Sequence, residues 1–353
     1  MTFTASDDQY FLHQLPRTFD HVVDSSPQFS DRCFFNIVSP DAGFIAVTGL
    51  GMYPNTQHGH AYAKLSLPDG RHWDIDGVRK VTVDRSDLHA GPIRITCLEP
   101  LKRWKLELGP NDSGLEWELY FDARAPLVQF NPLTLRSRGR VLADMQHIKQ
   151  PGDYTGWIKL HGEEIAFTTL LGGRDRSIGV RDNLNIDFWV WYEAVFEDRA
   201  IEAWVIEDTR GNVSFVDGGI TFNDGRPPKR FVRFEHDVTH DGTRRRQLGA
   251  TCTFTDEDGE THVVTGTAPS GDAIIYYVPQ HPGRTEADGY SHFTWDGKDA
   301  EHLDQVESNA ISTDQFMRYE YNGMVGHGIF EMFVAGRRYP RYANWNATKP
   351  QGT

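Results

Sequence analysis

The sequence predicts an all-β protein built as two antiparallel β-barrels in tandem, with few and short helices. Short runs rich in β-branched and aromatic residues recur at about 8–12-residue spacing, the pattern of sandwiches and barrels rather than of alternating βα units. Turn residues separate these runs. At 353 residues the chain exceeds most single cores, which points to two units of roughly 150–180 residues each. The predicted boundary lies between 182 and 183, giving domains 1–182 and 183–353.

Residues 1–30 read as an irregular leader broken by Pro16 and Pro27. Strands are then predicted at Cys33–Val38, Gly43–Gly49, Ala61–Leu67, Val78–Val83, Ile93–Leu98, Trp104–Leu108 and Leu115–Ala123. In the last of these, strict alternation puts Leu115, Trp117 and Leu119 on one face. Pro68-Asp-Gly and Gly109-Pro-Asn-Asp-Ser-Gly supply turns. The second half repeats the rhythm at Phe188–Phe196, Ala200–Glu207, Val213–Val216, Gly219–Phe222, Arg230–Val238, Gln247–Phe254, Thr261–Ala268 and Ile274–Tyr277. Residues 300–318 are the best candidate for a short amphipathic helix. The halves share a density of strands and turns but no short-period repeat.

A formal net charge of −14 and an acidic pI near 5.5 argue against nucleic acid or an anionic membrane surface as the main partner. Hydrophobic content of 39% suffices for packed cores. Cys33, Cys97 and Cys252 are odd in number and far apart. They form neither a disulfide framework nor a CxxC ligand set, and a reducing compartment fits them best. The N-terminus shows no basic and apolar signal-peptide pattern, and no apolar run approaches the ~20 residues of a helical span. The expectation is a soluble, cytoplasmic protein with no integral membrane segment.

The most informative stretch is 172–191. Up to Asp182 it carries Arg174, Arg176, Arg181, Asp175 and three glycines; from Ile186 it becomes an aromatic run. Asp–Arg pairs enter a core when both partners are hydrogen-bonded, and glycines beside them let the chain turn or approach closely. The reading is a paired-charge cluster at a glycine-containing turn where the halves join, with Asp175 and Arg181 pairing across it as the floor of a site. An ion-paired corner that merely fixes the junction is the alternative. Trp189 and Trp191 share a strand face, and with Tyr192 they could line a hydrophobic chamber or simply pack a core. Tyr319, Tyr321, Asn322 and His327 form a polar–aromatic group that could face the same chamber.

From His147 to Trp191 the chain resembles the carotenoid 1,2-hydratase-like and AttH-like family. The order of parts is His147, then Gly156-Trp-Ile-Lys-Leu-His-Gly-Glu-Glu-Ile, then Gly172-Gly-Arg-Asp-Arg-Ser-Ile-Gly-Val-Arg, then the aromatic run. Against a family pattern of the form Gly-x-Arg-Asp-His-Ser-Trp-Gly-x-Arg, this chain matches at Gly172, Arg174, Asp175, Ser177, Gly179 and Arg181. It carries Arg176 in place of His and Ile178 in place of Trp. The resemblance implies two lipocalin-like barrels and relatives that include hydratases and cyclases of prenylated substrates and Diels–Alderases. It also brings His147 and Trp157 into the candidate site.

Other constellations point away from metal or nucleotide chemistry. His58-Gly-His60 has a clasp-like spacing but no Glu follows it, and hydrogen-bonded histidines are the simpler reading. His236 and His240 would lie about 13 Å apart on a strand, too far for one ion. The acidic Thr255–Glu260 segment lacks calcium-loop spacing and reads as a hairpin turn. GxSxG and a helix-opening GxGxxG are both missing. No cofactor and no metal is expected.

Two functions remain open. The first is a cofactor-independent lyase, hydratase or cyclase acting on a hydrophobic, isoprenoid-like or polycyclic molecule at the barrel junction. Protonating an alkene needs an acid held neutral near pH 7, and Asp175 and Asp187 are the candidates. The arginines beside Asp175 oppose this; ionised, it would instead orient Arg181 or stabilise a developing cation. The second is a non-catalytic carrier of a lipophilic small molecule.

Overall fold

The computed structural model describes residues 3–10, 24–82, 84, 86–137, 139–181, 186–241, 245–269, 272–277, 289–296, 310–335 and 341–342. The predicted domain boundary at 182/183 lies outside them. The described chain opens with a helix, α1 (Ala5–Gln9). Strands then follow as β1 (Phe29–Val38), β2 (Ile45–Tyr53), β3 (His58–Ser66), β4 (Arg71–Lys80), β5 (His89–Ala90) and β6 (Ile93–Glu99). Next come β7 (Arg103–Leu108), β8 (Leu115–Ala123), β9 (Val128–Gln129), β10 (Leu133–Ser137), β11 (Arg140–Leu160), β12 (Glu163–Glu164) and β13 (Leu170–Arg181). The second series is β14 (Phe188–Val195), β15 (Arg199–Glu207), β16 (Val213–Phe222), β17 (Lys229–Asp241) and β18 (Arg246–Asp256). It ends with β19 (Thr261–Thr267), β20 (Ile274–Tyr277), β21 (Gly289–Asp296), β22 (Ala310–Tyr321) and β23 (Met324–Ala335).

Two antiparallel barrel-like sheets result, as the strand spacing predicts. The first runs β21-β4-β3-β2-β1-β13-β11-β8-β7-β6-β5, with β9, β10 and β12 also on β11. It curls until a Cβ at Gly77 of β4 would overlap the Ala90 carbonyl of β5, so it is nearly closed. Its strand β21 comes from late in the chain and pairs with β4. The second sheet runs β19-β18-β17-β16-β15-β14-β23-β22, and β22 pairs back onto β19, closing a barrel.

Each barrel has its own apolar interior. Phe35, Trp73, Trp104, Trp117 and Phe121 pack the first; Tyr192, Phe234, Phe254, Tyr319 and Phe330 pack the second. A third cluster, including Phe130, Trp189, Trp191, Trp204 and Phe333, lies between the barrels. Strand periodicity explains this division. On β14, Phe188, Val190, Tyr192 and Ala194 point into the second barrel, and the alternate residues Trp189, Trp191 and Val195 face the first. All eight β14 residues are therefore buried.

Several elements differ from the sequence reading. The leader contains α1, whose start is fixed by a Thr4/Asp7 capping box. The stretch 172–181 is not a turn but all of β13 except its first two residues, paired on one side with β1 and on the other with β11. Strand β4 begins at Arg71 rather than Val78, and 213–222 is one strand rather than two. Within the helix predicted over 300–318, the described residues from 310 form β22; 300–309 lie outside the described residues. No described helix is long and apolar enough to cross a membrane, and all three cysteines are free.

Candidate functional site between the barrels

Because β13 is a strand, its charged residues divide between two environments. Arg174 and Arg176 point to the first barrel's interior side. The Arg174 guanidinium makes two hydrogen bonds to the Asp8 carboxylate at 2.7 and 3.1 Å and lies over the Trp104 ring at 5.3 Å. Arg176 makes two hydrogen bonds to Asp31, at 2.8 and 2.7 Å. Asp175, Ser177 and Arg181 fall on the opposite face, toward the second barrel.

The seam between the barrels is held by a buried charge clamp. Lys149 of β11 lies 3.3 Å from Glu193 of β14, both side chains being at most 1% exposed. Asn36 of β1 donates to the other Glu193 oxygen at 2.6 Å. Lys149 also sits 4.1 Å above the Trp191 ring. Gly173 makes the approach feasible: a Cβ there would overlap Oε2 of Glu193. Gly173 thus serves close packing between barrels, not a turn, while Gly172 allows the backbone to lie close to Asn36 of the neighbouring strand β1.

Asp175 is the cross-strand neighbour of Lys149. Its carboxylate lies 3.9 Å from Nε2 of His147, and its side chain keeps 14% exposure. Burial pushes the Asp175 carboxyl up to about 7, against the opposing charges of Lys149, Arg181 and Arg32. His147 packs against Trp191 (4.7 Å), Trp204 (5.3 Å) and Phe130 (5.5 Å). Burial, reinforced by Arg181 and Lys149, holds its imidazole well below its ordinary range, so it is neutral at pH 7.

Two further carboxyls face the same seam. Glu202 is the cross-strand partner of Glu193; burial first, and that like charge, push it up to about 8. Asp314 accepts a 2.6 Å hydrogen bond from Tyr277 and is driven well above the carboxylate range by burial and by Glu331. Glu331 in turn accepts from Trp189 Nε1 at 2.8 Å and Ser312 at 2.6 Å. Sequence reasoning missed Lys149, Glu193, Glu202 and Asp314, which carry no local motif. A single charged residue inside an otherwise apolar strand, as in Phe188–Val195, is the signal that could have found Glu193.

The structure gathers His147, Asp175, Trp189 and Trp191 along one seam. Arg181 joins them, lying over the Trp189 ring at 5.5 Å and the Trp204 ring at 5.8 Å. It stands six residues from Asp175 along the same strand face and acts on it through charge, not across a turn. Asp187 is half-buried just before β14. His327 stands on the β23 face that also carries Ile329 and Glu331, 6.1 Å from Phe316. Tyr192 and Tyr319 are elsewhere, inside the second barrel with ring centroids 5.0 Å apart. Asn322 occupies the exposed β22–β23 hairpin turn in a left-handed conformation. Trp157 lies on the first barrel's outer face beneath Lys159.

His60 bonds Asp76 at 2.6 Å and His58 bonds Thr56 at 2.8 Å, which are the hydrogen-bonded roles the sequence suggested. Among the described residues one metal-capable group occurs, Asp256, Glu260 and His262. Lys229 already sits against both carboxylates, at 3.4 and 2.6 Å, supplying positive charge there.

These features define a class: a tandem β-barrel protein whose candidate site lies between the barrels, on their aromatic and polar facing surfaces. The chain belongs to a family of unknown function, DUF8625, matched over residues 4–342. In structure it is similar to a protein of Nitrosomonas europaea assigned as AttH, with TM-score 0.58, 13% identity and coverage of 87% of this chain and 92% of that one. It is also similar to kievitone hydratase from Nectria haematococca, with TM-score 0.55, 12% identity and coverage of 91% and 94%. These likenesses show a shared fold. No curated protein matches the chain in sequence.

Proposed function

We propose that the protein is an enzyme of the hydratase, lyase or cyclase type, needing no cofactor, that acts on a hydrophobic isoprenoid-like or polycyclic small molecule in the seam. Residues 1–182 and 183–353 would be its two lipocalin-like barrel units, the second lending β21 to the first. The observation that carries this reading is the Asp175 carboxyl, poised near neutrality beside the neutral His147. An acid of this kind can give a proton to an alkene carbon and take one back at physiological pH. Trp189 and Trp191 supply aromatic faces suited to positive charge developing on carbon. Lys149 and Arg181 restrain the Asp175 carboxyl from rising further, so both of its protonation states stay populated. The alternative carrier role predicts binding without proton exchange. Ligand capture inside a barrel finds little support, since large side chains pack both interiors.

The test begins with native mass spectrometry of freshly purified protein to identify a co-purified lipophile. That molecule is then incubated with the protein in D2O. Deuterium appearing at carbon, and lost in Asp175→Asn, supports the enzyme. Retention of the molecule with no carbon-bound deuterium supports the carrier.

A further inference from the structure

The inner end of the seam concentrates buried polar atoms that no other described group satisfies. Both ring nitrogens of His147, the indole nitrogens of Trp191 and Trp204, and Oε1 of Glu202 have no hydrogen-bond partner. The three rings touch one another, with Trp191 and Trp204 centroids 5.6 Å apart, and Glu202 stands two residues before Trp204 on the same strand face. Buried polar atoms in native proteins are ordinarily satisfied, so several orphans in one place mark a position for a polar group.

The chemistry of that group follows from what surrounds it. Two positive charges lie nearby: Lys149 is already matched by Glu193, which Asn36 also holds, and Arg181, over the Trp204 ring, faces Glu331 and Asp175. An anion would therefore enter without a free counter-charge. Neutral His147 offers one donor and one acceptor, each indole offers a donor, and a protonated Glu202 offers both. Such a set suits an uncharged oxygen.

We infer that the inner end of the seam is a subsite for a neutral oxygen of the ligand, a hydroxyl or a carbonyl, and that Glu202 selects oxygenated molecules over hydrocarbons. This rests on the seam being a hydrophobic-ligand site, but not on Asp175 being a proton donor. Glu202 is a specificity residue here: it meets the oxygen, while Asp175 is a separate group on β13, 3.9 Å from His147. A permanently bound water would satisfy the same atoms, and matched probes separate the two cases.

The experiment measures binding of 2-naphthol and of 2-methylnaphthalene to the full chain by equilibrium dialysis at pH 7. The wild type should hold 2-naphthol at least about tenfold more tightly, the scale of one buried hydrogen bond made or left unmade. Glu202→Gln, which keeps a donor and an acceptor, should retain that preference within about threefold. Glu202→Leu should abolish it while binding 2-methylnaphthalene as well as the parent or better. Equal affinity for both probes in the wild type, as a permanent water predicts, overturns the subsite. So does a preference that survives in Glu202→Leu, or one lost tenfold in Glu202→Gln should the leucine variant not fold. If neither probe binds, the hydrophobic-ligand reading falls and takes the subsite with it. A clear preference alongside unchanged turnover in Asp175→Asn leaves the subsite standing and removes the proton donor.

Discussion

The two faces of β13 carry similar residues and do opposite things. On the barrel side, Arg174 and Arg176 are at most 1% exposed, yet each guanidinium is matched by an aspartate, Asp8 or Asp31, with hydrogen bonds between 2.7 and 3.1 Å. On the seam side, Asp175 lies 3.9 Å from His147, whose ring nitrogens have no hydrogen-bond partner among the described residues, and is held near neutrality. Matched charge in a dry site fixes a structure. Imperfectly matched charge keeps a proton mobile, which is what chemistry needs. One alternation of a strand thus separates a matched set of charges from the set proposed to be reactive.

The comparison breaks most visibly if the barrel-side pairs are removed. Asp8→Ala leaves Arg174 buried over Trp104 and Phe121 with its carboxylate partner gone, and should cost about 3–5 kcal/mol. Urea denaturation checks this, and the protein that remains folded should turn over its ligand normally. A loss below about 1 kcal/mol would mean that α1 decorates the barrel rather than closing it.

Next in size is the seam side. Asp175→Asn should lower deuterium exchange at ligand carbon by at least about a hundredfold, the scale of a lost acid–base group, with ligand affinity nearly unchanged. Affinity falling in step with exchange would instead make Asp175 a binding residue.

The same substitution has a smaller, pH-dependent effect on stability. The Asp175 carboxyl holds its proton to about pH 7 when folded, against an ordinary value of 3.8. The folded chain therefore binds more protons between those values, so this group's contribution to stability falls as pH rises from about 4 to 7 and is flat above. Asn cannot ionise and escapes the loss. After allowance for partial exposure, Asp175→Asn should gain roughly 2 kcal/mol over the parent at pH 8 and little at pH 4. Thermal melts at the two pH values measure it. Barrel-side Asp8 variants should show no such gain.

The architecture was legible because strand periodicity and turn chemistry are local. Leu115–Ala123 and Ile274–Tyr277 could be read to their ends. Strand β13 and β11 before Gly156 escaped for a physical reason: their polar residues, among them His147, Lys149, Gln150, Arg174 and Arg176, are buried by partners from distant segments. Asp8 and Arg174 stand 166 positions apart, and no local pattern announces such a pair. For the same reason Arg174 and Arg176 were expected to depress the Asp175 pKa, whereas alternation turns both away from it. The glycines of 172–179 suggested a turn because glycine signals any close approach of backbone. Only the packed Glu193 carboxylate reveals which kind applies at Gly173.

The smallest expected effect belongs to Asp187→Asn. Asp187 is half-buried at the start of the aromatic strand, and exchange at ligand carbon should change less than about threefold. Inactivity of this variant alone would move the proton donor from β13 to the entry of β14.

The most direct test is the protonation state of Asp175 itself. Infrared difference spectra between wild type and Asp175→Asn, recorded in D2O across pH 5–9, isolate the carbonyl stretch of a protonated carboxyl at this position. The account predicts a carboxylic-acid band present at pH 5.5 that disappears with a midpoint near 7, as burial of the group requires. A carboxylate already ionised at pH 5.5, with no such band at any higher pH, would contradict it and leave both faces of β13 purely structural.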